Sequence, residues 1–463
     1  MPTLDHLIDM LDRAYQGKIC SQETWDMEII SQHTAEILKR YDLRKTCDKE
    51  NPINSDDSLA DRFFQAGVAL ATVTGMYCID TERVIVISEE EIADAIQNQP
   101  AEVRYGLGKD QVIRRRRMPE DSQKPIVTAL IGTPISEDLY VDLTSAIASI
   151  PGVDCLSGCT LETARGLRVI GGAPSETIAG YYEAELKRAA IEKAGRPGMS
   201  VTSTETSPTA YGTLASFGVP GGFNPEKDMV AILGIAELKT SFELFQKAIH
   251  GVQCGGRLRG GQPGMIGGYA GGPEAAAVAN LALVILQRAV FGVEYGGGNV
   301  LDVRYQGNSG RAGLWAQGIV NQAISRNSNF LADAVAFQVA GPNTEMLLWE
   351  TAIGVLNCVV SGASGSFGPY TSGGIKVDYL TPLETKFWAE LAVSGTKMTR
   401  SQVNELAKEI VPRYEDHLFR PPIGQPLQEC YYLPEMRPKE DWRALYSSVK
   451  EELSTMGVPF EEQ

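Results

Sequence analysis

The sequence predicts an α/β fold, a (β/α)8 TIM barrel with an N-terminal helical cap and a C-terminal helical extension. Three observations predict it. From Pro125 onward, short β-branched runs alternate with long helical ones. Repeated alternation of that kind implies parallel strands with right-handed crossovers, and eight such pairs suit a closed barrel. The first ~120 residues and the last ~70 read as helices instead. An open doubly wound sheet is the alternative for the middle of the chain. The expected organisation is a cap over 1–120, the barrel over 121–398 and C-terminal helices over 399–463, packed as one structural unit.

Each element has its own signal. Leu4, Leu7, Ile8 and Leu11 recur at helical spacing. A second helix is expected over 23–41, with Ser21 near its cap, and a third over 59–74. A short strand at 83–87 leads into Ser88-Glu89-Glu90-Glu91, a capping box that opens another helix. The barrel strands are expected at 126–131, 153–156, 199–202, 229–235, 264–267, 300–305, 334–340 and 360–365. The helices that follow them are expected at 137–149, 176–194, 209–215, 239–250, 274–291, 311–324, 345–359 and 382–392. Two more helices, 401–414 and 442–456, close the chain.

Bulk properties narrow the function. The net charge of -16 repels phosphate backbones, so nucleic acid is not an expected partner. Arg114-Arg115-Arg116-Arg117 breaks the acidic pattern and reads as a solvated or salt-bridged segment rather than a binding patch. The N-terminus carries acids early and lacks a basic start and apolar run. The longest apolar stretch, 275–286, reads as too short and too polar to span a bilayer. Eight scattered cysteines without a CxxC suit reduced, mostly buried thiols, and a cytoplasmic protein is expected.

The motifs are mostly exclusions. Only His6, His33, His250 and His417 exist, with no metal-ligand spacing, so no metal site is expected. No GxSxG elbow is present. Residues 255–272 hold nine glycines in eighteen positions but no nucleotide-loop pattern. That density suits either docking of a large flat group or a tight loop. On a barrel, the residues just after the strands are the ones that carry chemistry.

Several stretches resemble the monomethylamine methyltransferase family. They include Tyr77-Cys78-Ile79-Asp80-Thr81, Lys124-Pro125-Ile126-Val127, Pro134-Ile135-Ser136-Glu137-Asp138 and Ala194-Gly195-Arg196-Pro197-Gly198-Met199. Gly267-Gly268-Tyr269-Ala270-Gly271-Gly272, Gly341-Pro342, Thr344-Glu345-Met346 and Gln428-Glu429-Cys430-Tyr431 follow in order. The resemblance implies a homo-oligomeric barrel, a trimer or hexamer. It also implies a methyl group moved from an amine to the cobalt(I) of a corrinoid (cobalamin) carried by a partner protein. No tightly bound cofactor is implied on this chain.

The same resemblance exposes a departure. The family's pyrrolysine position falls on Thr202, two of its acids on Ala231 and Gly261, and a glutamine on Val335, whereas Glu205, Thr206, Arg304 and Arg311 match. Thr202 and Glu205 are therefore the candidate catalytic residues. Threonine has no electrophilic centre to hold an amine. The substrate must then supply its own leaving group, as a quaternary amine, a betaine or another N-methyl metabolite does. A methyl held at attack distance lowers the barrier by roughly 7–11 kcal/mol. Cation–aromatic contacts contribute about 0.5–2 kcal/mol each. Tyr211, Tyr269, Tyr305 and Phe337 are candidates for them, with core packing as the alternative. Gly261, Gln262 and Val335 are candidate substrate-binding positions, as is Arg304. Arg257, Arg259 or Arg304 is placed to hold a substrate carboxylate. The rival readings are a non-catalytic homologue, which predicts a filled barrel mouth, and a barrel enzyme of another class. The enzyme reading predicts an open funnel with polar groups at its base.

Overall fold

The structure is a computed structural model that describes residues 2–461, apart from the Ile131 side chain. Its centre is a closed ring of parallel strands. Ile126–Pro134 pairs with Cys155–Thr160, and Leu156 bridges to Val201. Thr202 then bridges to Met229, and Met229–Ala231 pairs with Arg257–Gly260. Arg257–Gly260 pairs with Tyr295–Gly296, and the Gly296 N–H reaches Leu331 O at 3.0 Å. Asp333–Phe337 and Gly365–Tyr370 follow, and the last strand closes onto the first. The third strand is reduced to two bridging residues.

Three expected strands require correction, the eighth lying at Gly365–Tyr370 rather than 360–365. The fifth barrel strand is Arg257–Gly260 rather than the run at 264–267, and the sixth is Tyr295–Gly296 rather than 300–305. Gly264–Ile266 and Val300–Asp302 are strands, but they pair with each other as a second parallel ladder beyond the barrel. The true fifth strand carries two arginines and the true sixth sits in a glycine run, so neither has the β-branched signal. The expected barrel helices all form, from Glu137–Ala148 to Pro382–Ser394. The capping box at Ser88 and Glu91 forms as well.

Side-chain alternation along the strands divides the inside from the outside. Leu156, Val201, Val230 and Leu258 face outward into the main core under the helices. Cys155, Met229, Tyr295 and Leu331 face inward and meet Val103 and Tyr105. Those two come from a hairpin, Glu102–Tyr105 with Val112–Arg115, which plugs the N-terminal end of the barrel. Pro273–Phe291 is long and apolar enough to cross a membrane by composition, but 89% of its apolar window is buried inside the fold. The helix Asp57–Thr74 packs across it and across Arg311–Asn327. The cap also grips a loop of the barrel. Trp25 Nε1 donates to Glu237 O at 3.1 Å, and Lys239 Nζ pairs with Asp26 at 2.7 Å.

The arginine run is not a solvated face. Arg114 and Arg117 are buried. Arg114 pairs with Asp333, donates to the Tyr105 hydroxyl at 3.1 Å and lies 4.2 Å from the Tyr295 ring centroid. Arg117 donates to the carbonyls of Val359 and Ala363. Arg115 alone keeps an exposed ion pair, with Glu102 at 3.2 Å.

Candidate active site

The opposite end of the barrel, where the strands finish, is held open by its second and third strands. The helix Pro174–Lys193 turns Glu176, Glu183 and Lys187 toward the barrel, and all three are buried. Glu183 accepts the backbone N–H groups of Glu205 and Thr206, both at 2.9 Å. Lys187 Nζ pairs with Glu183 at 2.7 Å and donates to the carbonyls of Ser157 and Thr202 at 2.8 and 2.9 Å. Glu176 accepts from Thr209 N and Thr209 Oγ1 at 2.9 and 2.7 Å. A charged helix face thus satisfies backbone N–H groups of Glu205, Thr206 and Thr209 in the irregular segment after the third strand. Gly158 makes this possible. Its φ is +147°, and a Cβ there would lie 2.3 Å from Lys187 Nζ.

The clamp fixes Ser157 and Glu205 opposite Arg259. Ser157 Oγ donates to Glu205 Oε1 at 2.5 Å. Arg259 Nη2 reaches the same oxygen at 3.2 Å and Ser157 Oγ at 3.3 Å. The guanidinium also lies 4.9 Å from the Phe367 ring centroid. Arg259 Nε is buried without a partner.

These groups form the inner part of a cavity of about 250 Å³. Every barrel strand, or the loop that follows it, contributes to its lining, from Gly132 to Tyr370. Ser157, Arg259, Asn299, Asp333 and Val335 are buried at its inner end. Phe337, Phe367 and Tyr370 form an aromatic wall, with Phe337 and Tyr370 edge to face at 5.1 Å. Burial pushes the Tyr370 hydroxyl up, so it remains neutral. Leu233, 39% exposed, marks the open rim. Larger grooves lie between the C-terminal helices and around Trp349 and Arg413, away from the strand ends. A buried ion pair beneath an aromatic wall suits capture of a small molecule bearing both charge and apolar groups.

Comparison with known proteins identifies the scaffold. A family model described as monomethylamine methyltransferase MtmB matches residues 6–458. The chain belongs to the MtmB family. The MtmB of Methanosarcina mazei is 30% identical over 98% of both chains. MtmB1 of Methanosarcina acetivorans is 29% identical over the same shares. The crystal structure of the Methanosarcina barkeri monomethylamine methyltransferase superposes with a TM-score of 0.93 at 29% identity, covering 98% of each chain. A crystal structure of the hydroxylamine MtmB complex matches equally well. The MtmB family is one of methyltransferases, and this chain is such an enzyme in fold and family.

Within this MtmB-family chain, the residues singled out from sequence divide in two. Glu205, Gly261, Gln262, Val335 and Phe337 come together at the cavity. Thr202 is buried on the third strand, and alternation turns its side chain to the barrel interior, but it does not line the cavity. Tyr211 and Tyr269 stand 56% and 50% exposed outside the cavity lining. Arg304 is ion-paired with Asp302 at 2.5 Å, and Tyr305 is packed edge-on against Phe419 with its hydroxyl accepting from Gly310 N. Tyr269, Arg304 and Tyr305 lie apart from the cavity because the ladder that carries their loops extends beyond the barrel rather than forming it. For Tyr211, the reason is that it opens the short helix Tyr211–Ser216. Arg257 is paired with Glu294 at 2.9 Å.

Ser157, Asn299, Phe367 and Tyr370 were not foreseen. Ser157 and Phe367 lie two residues along from inward positions Cys155 and Gly365, so period-two alternation with correct strand limits would have found them.

Proposed function

We propose that this chain moves a methyl group from a small N-methylated compound other than monomethylamine to the reduced cobalt of a corrinoid carried by a partner protein. The cavity beneath the barrel mouth carries this reading. It is open at Leu233, polar within and aromatic along one side, which a filled non-catalytic homologue would not be. Thr202, at the position where the resemblance places pyrrolysine, directs the reading away from monomethylamine.

The corrinoid supplies the nucleophile that takes the methyl, and the nitrogen keeps the bonding pair and leaves as an amine. A quaternary nitrogen leaves as a neutral amine without prior protonation. The residues of this chain bind and orient. Phe337 and Tyr370 are placed to face a methylated cation. Glu205, held by Ser157 and the Glu183–Lys187 clamp, fixes Arg259. Thr202, buried outside the cavity lining, supplies no electrophile. The chain works in the cytoplasm as a homo-oligomer on this reading.

The test is methylation of added cobalt(I) cobalamin, followed by its absorbance, across monomethylamine and a set of tertiary and quaternary N-methyl compounds. Transfer from one of the latter and none from monomethylamine is expected. Transfer from monomethylamine alone would overturn the reading.

A further inference from the structure

We infer that the methyl donor is a zwitterion, an N-methylated ammonium compound bearing a carboxylate, and that Arg259 selects it by binding that carboxylate. The inference rests on the reading that this cavity holds the methyl donor, and it names the donor's class.

Three observations converge. Arg259 is buried at the inner end of the cavity, yet its contacts to Glu205 and Ser157 both leave from Nη2. Nε has no partner, and no hydrogen bond leaves Nη1 among the described residues. A buried guanidinium donor without an acceptor is costly unless a ligand or water supplies one. A carboxylate, with two oxygens matched to the fork, does so with strong charge-assisted bonds.

The second observation is the charge balance. Arg259 is set against Glu205, and Asp333 at the cavity floor is neutralised from below by Arg114. The cavity is therefore neutral as a whole but locally dipolar. Asp333 Oδ2 accepts no hydrogen bond, but the Asp333 charge is paired with Arg114, so a bare monocation brings only one partner to the cavity, whereas a molecule that is itself neutral and dipolar brings both. The third is the placement of the apolar surface. Phe337, Phe367 and Tyr370 rise from the buried arginine toward the partly exposed rim. A donor anchored by its carboxylate on Arg259 lays its methylated nitrogen along that wall and turns a methyl toward the mouth, where a partner protein has access.

The experiment is equilibrium binding by calorimetry with defined probes: N-methylglycine, N,N-dimethylglycine, N,N,N-trimethylglycine, the methyl ester of the last, and tetramethylammonium. At least one acid should bind saturably, and its ester or the bare cation about 10- to 100-fold more weakly. Arg259→Gln should remove that preference. Because it leaves Glu205 without its partner, the double variant Arg259→Gln with Glu205→Gln keeps the cavity neutral and should fold, checked by thermal melting, and also lose the preference. Tetramethylammonium binding as tightly as every acid, an unchanged preference in the folded double variant, or no binding of any acid at millimolar concentration would each overturn the inference. The outcomes separate the two readings. Arg259-dependent acid binding without methylation of cobalt(I) cobalamin would leave the carboxylate site and reject the methyl transfer. Arg259-independent transfer would do the reverse.

Discussion

The two ends of the barrel each bury an arginine against a carboxylate, and they use the pair in opposite ways. At the N-terminal end, Arg114 is enclosed by Tyr105, Tyr295 and Asp333 beneath a hairpin that excludes water. At the other end, Arg259 meets Glu205; each guanidinium keeps one buried nitrogen without a partner, Nη2 of Arg114 and Nε of Arg259, but only Arg259 itself lines the open cavity. Arg114 is sealed from the cavity that Asp333 floors, which makes the first pair a structural plug, because removing the arginine leaves a buried carboxylate with no cation beside it. The second pair borders a cavity, so a ligand at its inner end meets the guanidinium directly. Surroundings, not residue types, separate the two roles.

That contrast can be broken by four measurements. Arg114→Met should have the largest effect, about 3–5 kcal/mol of lost stability in urea unfolding, because Asp333 is left charged and buried. A loss below about 1 kcal/mol would mean that the plug is not electrostatic.

The seventh strand joins floor to wall, and Glu350 holds its far end by accepting from Val339 N and Ala340 N. Burial raises the Glu350 carboxyl from 4.5 to about 7, and burial raises Glu384 likewise to about 7. The folded state thus keeps protons that the unfolded chain loses. This contribution to stability is complete below about pH 4.5 and declines as pH rises through about 7, by on the order of 3 kcal/mol per group. Glu350→Gln should flatten the pH profile of urea midpoints over that window. A wild-type profile that climbs from pH 5 to 7 with no flattening in the variant would contradict it.

Gly158→Ala puts a methyl against the Lys187 ammonium and should cost about 1–3 kcal/mol, with faster hydrogen exchange at residues 203–209. Unaltered exchange there would separate the clamp from the loop. Arg259→Met should cost least, about 1–2 kcal/mol, since water entering the cavity can solvate Glu205. If it destabilises as much as Arg114→Met, the two ends are equivalent and the contrast fails.

How much of this was legible in the sequence follows the same division. Elements with strong periodicity, such as Pro273–Phe291 and Glu345–Val360, were readable because tertiary structure reinforces their apolar pattern. The fifth and sixth barrel strands were not, because Arg257-Leu258-Arg259-Gly260 and Tyr295-Gly296 are made strands by their neighbours rather than by their own propensity. That shift of strand limits is also why Tyr269, Arg304 and Tyr305 were placed near the mouth. The arginine run reads as solvated or salt-bridged, and Arg114 is salt-bridged but buried, because sequence shows a basic run and not the aromatic pair that encloses one member of it. Glu205 and Val335 follow from the family resemblance and Phe337 from its place near a predicted strand end, while Phe367 needs the eighth strand to be located at Gly365–Tyr370.

The most direct test is a single-turnover experiment with an N-methylated amino acid carrying a carbon-13 methyl, mixed with cobalt(I) cobalamin and either wild-type protein or Arg259→Gln. The account predicts labelled methylcobalamin with the wild type and at least a tenfold slower appearance with the variant, about the loss of one strong charge-assisted contact. Equal rates from the two proteins, or no labelled cobalt from any such amino acid, would contradict it.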